Sequence, residues 1–298
     1  MLYRVVHETG YEYTGDVSVS QHVARLRPRV LPRQQVREFA CVVEPAPASA
    51  PGERTDYYGN IQTFFTVEGA HRRLTVLARS VVAVAPAVLP LPEDTPPWET
   101  AAAPGVADAD ASPGVGEFHY DSPLVRRRRE FADYARPSFG EGAPLLTAVL
   151  DLTRRIHAEF AFDPEATTVA TPLEQVLRER RGVCQDFAHL QIACLRSLGL
   201  AARYVSGYLE TVPPPGRPRL TGADASHAWL AVFCPGQGWI DVDPTNNLLP
   251  SDRHITVAWG RDYSDVSPIR GVIVGGGHHQ LKVAVDVEPL AEAAGARG

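Results

Sequence analysis

The sequence has few cysteines and no closely spaced cysteine pair. Its 298 residues contain four cysteines, and none of them forms the Cys-x-x-Cys pair that is typical of structural zinc sites. Four cysteines are also too few for the disulfide framework of a small secreted domain. These absences predict free thiols in a reducing, cytoplasmic setting.

The sequence also lacks an excess of positive charge and a long apolar run. The formal net charge is -6, which predicts no general affinity for nucleic acid. No apolar run approaches the roughly 20 residues of a membrane-spanning helix, and residues 2–7 alternate like a strand instead of forming a signal-peptide core. We therefore expect neither nucleic acid nor membrane as a partner. No acidic loop has EF-hand spacing, so we expect no calcium requirement.

Composition divides the chain into four parts. Residues 1–85 contain alternating segments broken by prolines and predict an all-β sandwich domain. Residues 86–117 are rich in proline and alanine and predict an extended linker, with Trp98 pinned to a domain surface. Residues 118–290 predict helices followed by strands, which would form a catalytic domain, and residues 291–298 predict a flexible tail.

Cys184 lies at the predicted start of a buried helix. Gly182 precedes it, and apolar residues then recur at helical spacing up to Gly199. The free N–H groups and the positive dipole end of a helix start favour thiolate over thiol, which makes Cys184 a candidate nucleophile. Cys41 and Cys194 instead fit packing positions in apolar segments.

Several further elements are predicted around this helix. A shorter helix starts upstream with a capping box at Thr171. The run Arg126 to Arg129 predicts the solvated face of another helix. Downstream, strands are predicted over residues 202–209, 226–233, 239–243 and 281–287, with a loop over residues 213–225.

The strands at residues 226–233 and 239–243 should pair as a hairpin that carries a candidate base and a candidate acid. If the turn centres on Gly236, Asp243 faces Trp229 and lies one diagonal step from His227, within reach of its side chain. A register shifted by one residue would separate them. Asp241 shares a sheet face with Asp243, because side chains alternate with period two, so spacing leaves both acids as candidates.

Other histidines have simpler interpretations. His189 follows Cys184 by five positions, which turns it about 140° away around the helix and predicts a structural role. His278 and His279 adjoin a run of three glycines, and a polar loop is predicted there rather than a metal site.

The segments at residues 181–189, 226–229 and 238–246 together resemble the bacterial transglutaminase-like superfamily, which includes cysteine protease-like proteins with an N-terminal β domain. The family pattern has cysteine at a helix N-terminus, histidine with tryptophan two residues later, and aspartate before Pro-Thr. Residues 252–263 also look like family sequence. The resemblance implies an α+β fold in which a cysteine helix packs on an antiparallel sheet, as in a papain-like core.

Carried over to this chain, the resemblance implies Cys184 as nucleophile, His227 as base and Asp243, rather than Asp241, as the acid that orients the base. The implied activity is that of a thiol-dependent amide hydrolase or acyl transferase, which forms a thioester with peptide or protein carboxamides and needs neither cofactor nor metal. The backbone N–H of Cys184 is the expected first oxyanion donor, and Gln185 and nearby tryptophans are the candidates for the second. Hydrolysis and transamidation share one triad, so the triad does not distinguish them.

Two other hypotheses compete with this one. A non-catalytic binding module could keep the same fold, although the intact triad argues against it. A zinc protein could use Cys184, His227 and Cys234, although the missing Cys-x-x-Cys spacing argues against that.

Overall fold

The computed structural model describes residues 1–103, 114–211 and 226–290. The predicted loop over residues 213–225, residues 104–113 of the predicted linker and the predicted tail therefore lie outside the described residues. A large sheet at the N-terminal end of the chain adjoins a smaller sheet covered by helices.

The large sheet is built from long antiparallel strands. Its members are β1 (Leu2–Ala24), β2 (Gln34–Glu44), β3 (Gly52–Thr55), β4 (Ile61–Val84), β11 (Ile269–Gly275) and β12 (His279–Leu290). β1 pairs with β4 along most of its length, and β2 and β3 pair with β4 on its far side. β11 and β12 both pair with the other edge of β1.

β11 and β12 form one long edge strand that is interrupted by glycines. Val17 of β1 lies opposite Gly275, and Tyr13 lies opposite His279, so both strands run along β1 in the same direction. Gly275 and Gly276 have φ angles of 95° and 85°, which favour glycine. The predicted polar loop at His279 is therefore wrong: the glycines form an irregularity inside an extended strand.

All the helices of the described residues lie in the sequence between β4 and β11. They are α1 (Trp98–Ala102), α2 (Arg129–Ala135), α3 (Leu145–Glu159), α4 (Leu173–Glu179), α5 (Cys184–Ser197) and the short α6 (Tyr263–Val266), with 3-10 turns at Pro92–Asp94, Gly116–His119 and Arg136–Ser138. Two short strands, β5 (Ala161–Phe162) and β6 (Arg181–Gly182), pair in parallel beside them.

The smaller sheet has four antiparallel strands. They are β7 (Ala202–Leu209), β8 (Ser226–Cys234), β9 (Gly238–Val242) and β10 (His254–Gly260), in the order β10-β7-β8-β9. Helix α5 packs on one face of this sheet, where Ala228, Leu230 and Val232 of β8 join its apolar cluster. This arrangement confirms the predicted α+β fold with a cysteine helix on an antiparallel sheet.

The two sheets share one apolar core. Tyr3 of β1 and Val285 and Val287 of β12 belong to the same buried cluster as Leu190 of α5. The sequence assigned the C-terminal strands to the catalytic domain, yet they complete the N-terminal sheet, because strand alternation specifies a buried face and not a pairing partner. The division into domains stays a prediction.

Three local predictions differ from the structure. The predicted extended linker contains α1, where Trp98 packs edge-to-face on Phe139 and donates from its indole N–H to the Gly140 carbonyl over 2.9 Å. The predicted capping box is absent at α4, because Thr171 Oγ1 accepts the Thr168 N–H instead. The basic run lies mostly before α2, which begins only at Arg129.

Candidate active site

Cys184 is the first residue of α5, as predicted. The chain enters the helix at Val183, whose N–H donates to Asp186 Oδ2 over 2.9 Å, and the Thr167 hydroxyl donates to the same oxygen over 2.6 Å. A Cβ on Gly182 would lie 2.6 Å from that oxygen, so a glycine is needed there. Buried Asp186 thus fixes the turn that presents Cys184 at the helix start.

The cysteines differ in their surroundings. Cys184 is half-buried at the edge of the core, whereas Cys194 is fully buried inside α5. Burial raises the pKa of the Cys194 thiol well above its usual range, and burial also raises the pKa of Cys41 in β2. Of these three thiols, only Cys184 lies at a helix N-terminus.

The predicted hairpin has the predicted register. Leu230 of β8 lies opposite Val242 of β9, and continuing that pairing by one residue places Asp243 opposite Trp229. β9 ends at Val242. Asp243, which precedes Pro244, pairs instead with Leu248 in an isolated bridge. The hairpin therefore brings the end of β9 beside the start of β8, where His227 lies.

His227 links the cysteine helix to the aspartate. Its Nε2 donates to Asp243 Oδ2 over 2.7 Å, and the Cys184 side chain is near enough to its ring to raise the pKa of the imidazole. Burial lowers the pKa of His227, but the interactions with Asp243 and Cys184 outweigh burial and raise that pKa to about 10. Since Nε2 meets Asp243, Nδ1 is the ring nitrogen left for the cysteine.

The Asp243 carboxylate is saturated with hydrogen-bond donors. Oδ2 accepts from Nε2 of His227, from Nε2 of His254 over 3.1 Å and from the side-chain amide of Asn246 over 2.8 Å. Oδ1 accepts the backbone N–H groups of Thr245 and Asn246. Burial alone would raise the pKa of this carboxyl, yet these donors hold it well below its usual range. Asp243 is therefore ionised although it is fully buried.

Asp241 has a different partner. Its Oδ2 lies 3.3 Å from Nη2 of Arg33, and its side chain is 22% exposed. Spacing left both acids as candidates, and the structure brings Asp243, not Asp241, to His227.

Sequence reasoning missed Asn246 and His254. Asn246 stands within the motif that carried the resemblance, three residues after Asp243, so its contact could have been inferred from a turn. His254 lies on β10, separated from β8 by β7, and its side chain is 2% exposed. Only the tertiary pairing of these strands brings it to Asp243.

His227, Asp243 and His254 offer ligand atoms within 4.8 Å of one another, which is the spacing of a potential metal site. The two Nε2–Oδ2 distances, 2.7 and 3.1 Å, are hydrogen-bond distances. A tetrahedral zinc ion would need neighbouring ligand atoms roughly 3.3 Å apart. The packing of these three side chains thus fits a hydrogen-bonded cluster better than an ion.

The alternative zinc set is separated in space. Cys234 ends β8 and pairs with Gly238, while His227 lies near the start of the same strand. Seven residues of extended strand span roughly 23 Å. Cys234 therefore cannot share one ion with His227 and Cys184.

His189 has the predicted structural surroundings. It is buried, its Nε2 accepts the Tyr263 N–H over 3.1 Å, and its ring packs on Tyr204 at 4.8 Å between centroids. It joins α5 to the chain after β10.

Two family descriptions match this chain. The bacterial transglutaminase-like N-terminal region matches residues 3–83, and the transglutaminase-like superfamily matches residues 132–244, which include Cys184, His227 and Asp243. The chain belongs to the transglutaminase-like superfamily.

Full-length relatives occur in mycobacteria. An uncharacterized protein of Mycobacterium tuberculosis is 42% identical over 296 residues, which cover 97% of this chain and 93% of the relative. An uncharacterized protein of Mycobacterium leprae is 33% identical, with 97% of this chain and 99% of the relative covered. A crystal structure from Cytophaga hutchinsonii, named "Putative Cysteine Protease", has a TM-score of 0.73 at 19% identity and covers 98% of this chain and 92% of that one. This likeness shows the fold.

A more distant relative has a named activity. A "Protein-glutamine gamma-glutamyltransferase" of Pseudomonas aeruginosa is 33% identical over 127 residues, which cover 42% of this chain and 19% of that protein. Within the described residues, no helix is both long and apolar enough to span a membrane.

Proposed function

We propose that this protein is a thiol-dependent amide hydrolase or acyl transferase that uses Cys184, His227 and Asp243. The observation that carries the proposal is the position of His227, which is hydrogen-bonded to Asp243 through Nε2 and lies near enough to the Cys184 side chain for the two to interact. A nucleophile, a base and a group that orients the base are the parts needed for covalent catalysis.

Proton transfer would start the reaction. With Nε2–H held by Asp243, Nδ1 of His227 takes the thiol proton of Cys184, and the imidazolium is stabilised by the buried carboxylate. The raised pKa of His227 favours this thiolate–imidazolium pair over the neutral pair.

Acyl transfer would follow at the helix start. The Cys184 thiolate attacks a carboxamide carbon, and the carbonyl oxygen becomes an oxyanion. The first N–H groups of α5 have no partner inside the helix, so the Cys184 N–H is a donor for that oxyanion. His227 then protonates the leaving amine, the C–N bond breaks and a thioester remains on Cys184.

The second substrate decides the product. Attack by water releases an acid and makes the reaction a hydrolysis, whereas attack by an amine makes it a transamidation. In either case His227 takes a proton from the attacking group and the Cys184 thiol is restored. We favour hydrolysis, because water is the abundant acceptor.

Peptide or protein carboxamides are the proposed substrates. The name of the Pseudomonas relative describes transfer at glutamine. A Gallus gallus relative is named "Peptide-N(4)-(N-acetyl-beta-glucosaminyl)asparagine amidase". It is 28% identical over 94 residues, which cover 31% of this chain and 12% of that protein. Both names refer to chemistry at a side-chain carboxamide, which supports this class.

A non-catalytic binding module is the competing proposal. Such a module would have no need to keep a buried ionised aspartate against a histidine and a cysteine, since burying a charge is costly unless it is fully paired. We also keep the cytoplasm as the proposed compartment, because none of the four cysteines forms a disulfide.

Turnover of a peptide carboxamide library, with and without an added primary amine, tests the proposal. We expect acid products without amine, a change toward amide products with amine, and loss of both in Cys184→Ala. Trapping of a mass adduct on Cys184 by acid quench would identify the thioester. Equal product from wild type and Cys184→Ala would contradict the proposal, and so would a wild-type protein that turns over no member of the library.

A further inference from the structure

A second histidine is hydrogen-bonded to the candidate orienting acid, at the same carboxylate oxygen as the first. His254 Nε2 lies 3.1 Å from Asp243 Oδ2, the oxygen that also accepts from His227 at 2.7 Å. The centroids of the two imidazole rings are 6.0 Å apart. Asp243 is therefore held between two imidazoles that both point an Nε2 at the same oxygen.

The surroundings of His254 fix its protonation. Its Nε2 must carry the proton, because Asp243 is ionised and only accepts. Among the described residues, its buried Nδ1 has no hydrogen-bond partner, so a second proton there would lack an acceptor. Burial accordingly lowers the pKa of His254. His254 thus acts as a neutral donor that steers the carboxylate without adding a competing positive charge.

Strand β10, which carries His254, is held by the N-terminal sheet. The Gln34 amide takes both backbone groups of Thr256: it donates to the carbonyl over 2.7 Å and accepts the N–H over 2.8 Å. The Asn60 amide does the same for Trp259, with distances of 2.8 and 2.9 Å. These side chains satisfy the edge of β10 that faces away from β7.

The neighbour of Gln34 holds the other strand of the site. Arg33 donates to Asp241 of β9 and to the Ser251 carbonyl in the connection between β9 and β10. Arg33, which immediately precedes β2, and Gln34, the first residue of β2, therefore contact the two strands that bring Asp243 and His254 together.

We propose that His254 is a positioning residue that aims Asp243 at His227, and that Gln34 of the N-terminal sheet holds His254 in place for this role. The inference rests on the proposed function of Cys184, His227 and Asp243. It assigns a part in the chemistry to the N-terminal sheet, which contributes none of those three residues.

The test measures how fast Cys184 is alkylated by iodoacetamide at about pH 6, where reactivity depends on the thiolate–imidazolium pair. Without the hydrogen bond from His254, the Asp243 carboxylate is no longer held toward His227. The His227–Asp243 hydrogen bond is then weaker, so less Cys184 thiolate forms. We expect His254→Phe to slow Cys184 alkylation about 10- to 100-fold, the range seen when outer hydrogen-bond partners are removed. His254→Gln, which keeps an amide donor near the Nε2 position, should recover most of the rate.

The matched pair for the N-terminal sheet is Gln34→Leu and Asn60→Leu. Each removes two side-chain bonds from β10, but only Gln34 acts two residues from His254. We expect Gln34→Leu to slow alkylation and Asn60→Leu to leave it near the wild-type rate. His7→Phe, which removes two hydrogen bonds of another buried histidine, controls for general loss of stability.

Three outcomes would overturn the proposal: a folded His254→Phe protein with a wild-type alkylation rate, no recovery in His254→Gln, or equal effects of Gln34→Leu and Asn60→Leu. If His254→Phe does not fold, the Gln variant and the matched pair still decide. The readout needs no substrate, so a wild type that alkylates as expected but turns over no carboxamide would count against the proposed function alone.

Discussion

His22 of the N-terminal sheet and His227 of the small sheet have pKa values shifted in opposite directions. In the N-terminal sheet, His22 is 6% exposed, neither ring nitrogen has a partner among the described residues, and burial lowers its pKa to about 4. In the small sheet, His227 is also buried, yet Asp243 and Cys184 raise its pKa to about 10. Burial alone favours the neutral imidazole, and at His227 the interactions with Asp243 and Cys184 together reverse that preference.

The sheets also differ in how their acids are paired. In the N-terminal sheet, charged pairs such as Arg72 with Asp16 are solvent-exposed and contribute little to stability. In the small sheet, buried Asp243 accepts five hydrogen bonds. A buried charge such as that of Asp243 therefore depends on complete hydrogen bonding, and the ring of His22 in the N-terminal sheet has no such partners among the described residues.

The largest expected effect is a difference in turnover between variants of Asp241, which lies in β9, and Asp243, which follows β9. Asp243→Asn cannot stabilise the His227 imidazolium and should lower turnover about 10⁴-fold, by analogy with serine triads. Asp241→Asn loses a partly buried pair with Arg33 and should mainly change stability. Turnover of a carboxamide substrate and thermal unfolding of each variant check this. Loss of turnover only in the Asp241 variant would reverse the assignment, and an effect in neither would indicate a Cys–His dyad.

Cysteine reactivity should differ between the regions by at least about tenfold. Cys184 is paired with His227 at a helix start, whereas burial raises the pKa of Cys41 in the N-terminal sheet and of Cys194 within α5. Brief iodoacetamide treatment at mildly acidic pH, followed by peptide mass spectrometry, should label Cys184 first. Labelling of Cys41 at the same rate would remove the distinction between the two regions.

The shared core should make the sheets unfold together. Val287→Ala in β12 removes a fully buried side chain from the cluster that includes Leu190 of α5 and should cost about 1 to 3 kcal/mol. Val283→Ala on the same strand alters a side chain that is 49% exposed and should stay within about 0.5 kcal/mol. Denaturant unfolding followed by signals from both sheets checks this. Two separate transitions, with only the N-terminal one affected, would show independent sheets.

The smallest expected effects concern how the free energy of unfolding changes with pH. His22 and His227 should change it in opposite directions. The pKa of His22 is lowered, so its contribution to stability is present above its ordinary value of 6.5 and is lost as pH falls toward 4. His22→Phe should therefore reduce the acid loss of stability by about 1 to 2 kcal/mol. Unfolding free energies measured from pH 7 to about 4 check this.

His227 should affect the free energy of unfolding at alkaline pH instead. Its raised pKa means that its contribution is fully present below 6.5 and is lost as pH rises through about 10. His227→Gln should flatten the alkaline decline in unfolding free energy without changing the acid limb set by His22. An unchanged alkaline limb would show that Asp243 does not hold the imidazolium.

The nucleophile and the hairpin could be predicted because their signals are local. Gly182 and the apolar period after Cys184 define a helix start, and the short turn near Gly236 fixes which residues of β8 and β9 face each other. The order of preference between Asp243 and Asp241 came from a motif resemblance. The structure then placed Asp243 at His227.

Contacts between distant segments could not be predicted in this way. His254 meets Asp243 across β7, and Gln34 meets Thr256 over 222 residues of sequence. The same limit explains β11 and β12, whose alternation indicated strands but not their pairing with β1.

The sequence by itself thus predicted the helix start at Cys184 and the pairing of β8 with β9, because each depends on residues only a few positions apart, and a motif resemblance named Cys184, His227 and Asp243 as candidate site residues. The tertiary structure alone decided that Asp243 is saturated by a second histidine and that the N-terminal sheet supports that histidine. Long-range pairing depends on which strand edges and apolar faces meet in the folded chain, and a local pattern of residues leaves that choice open.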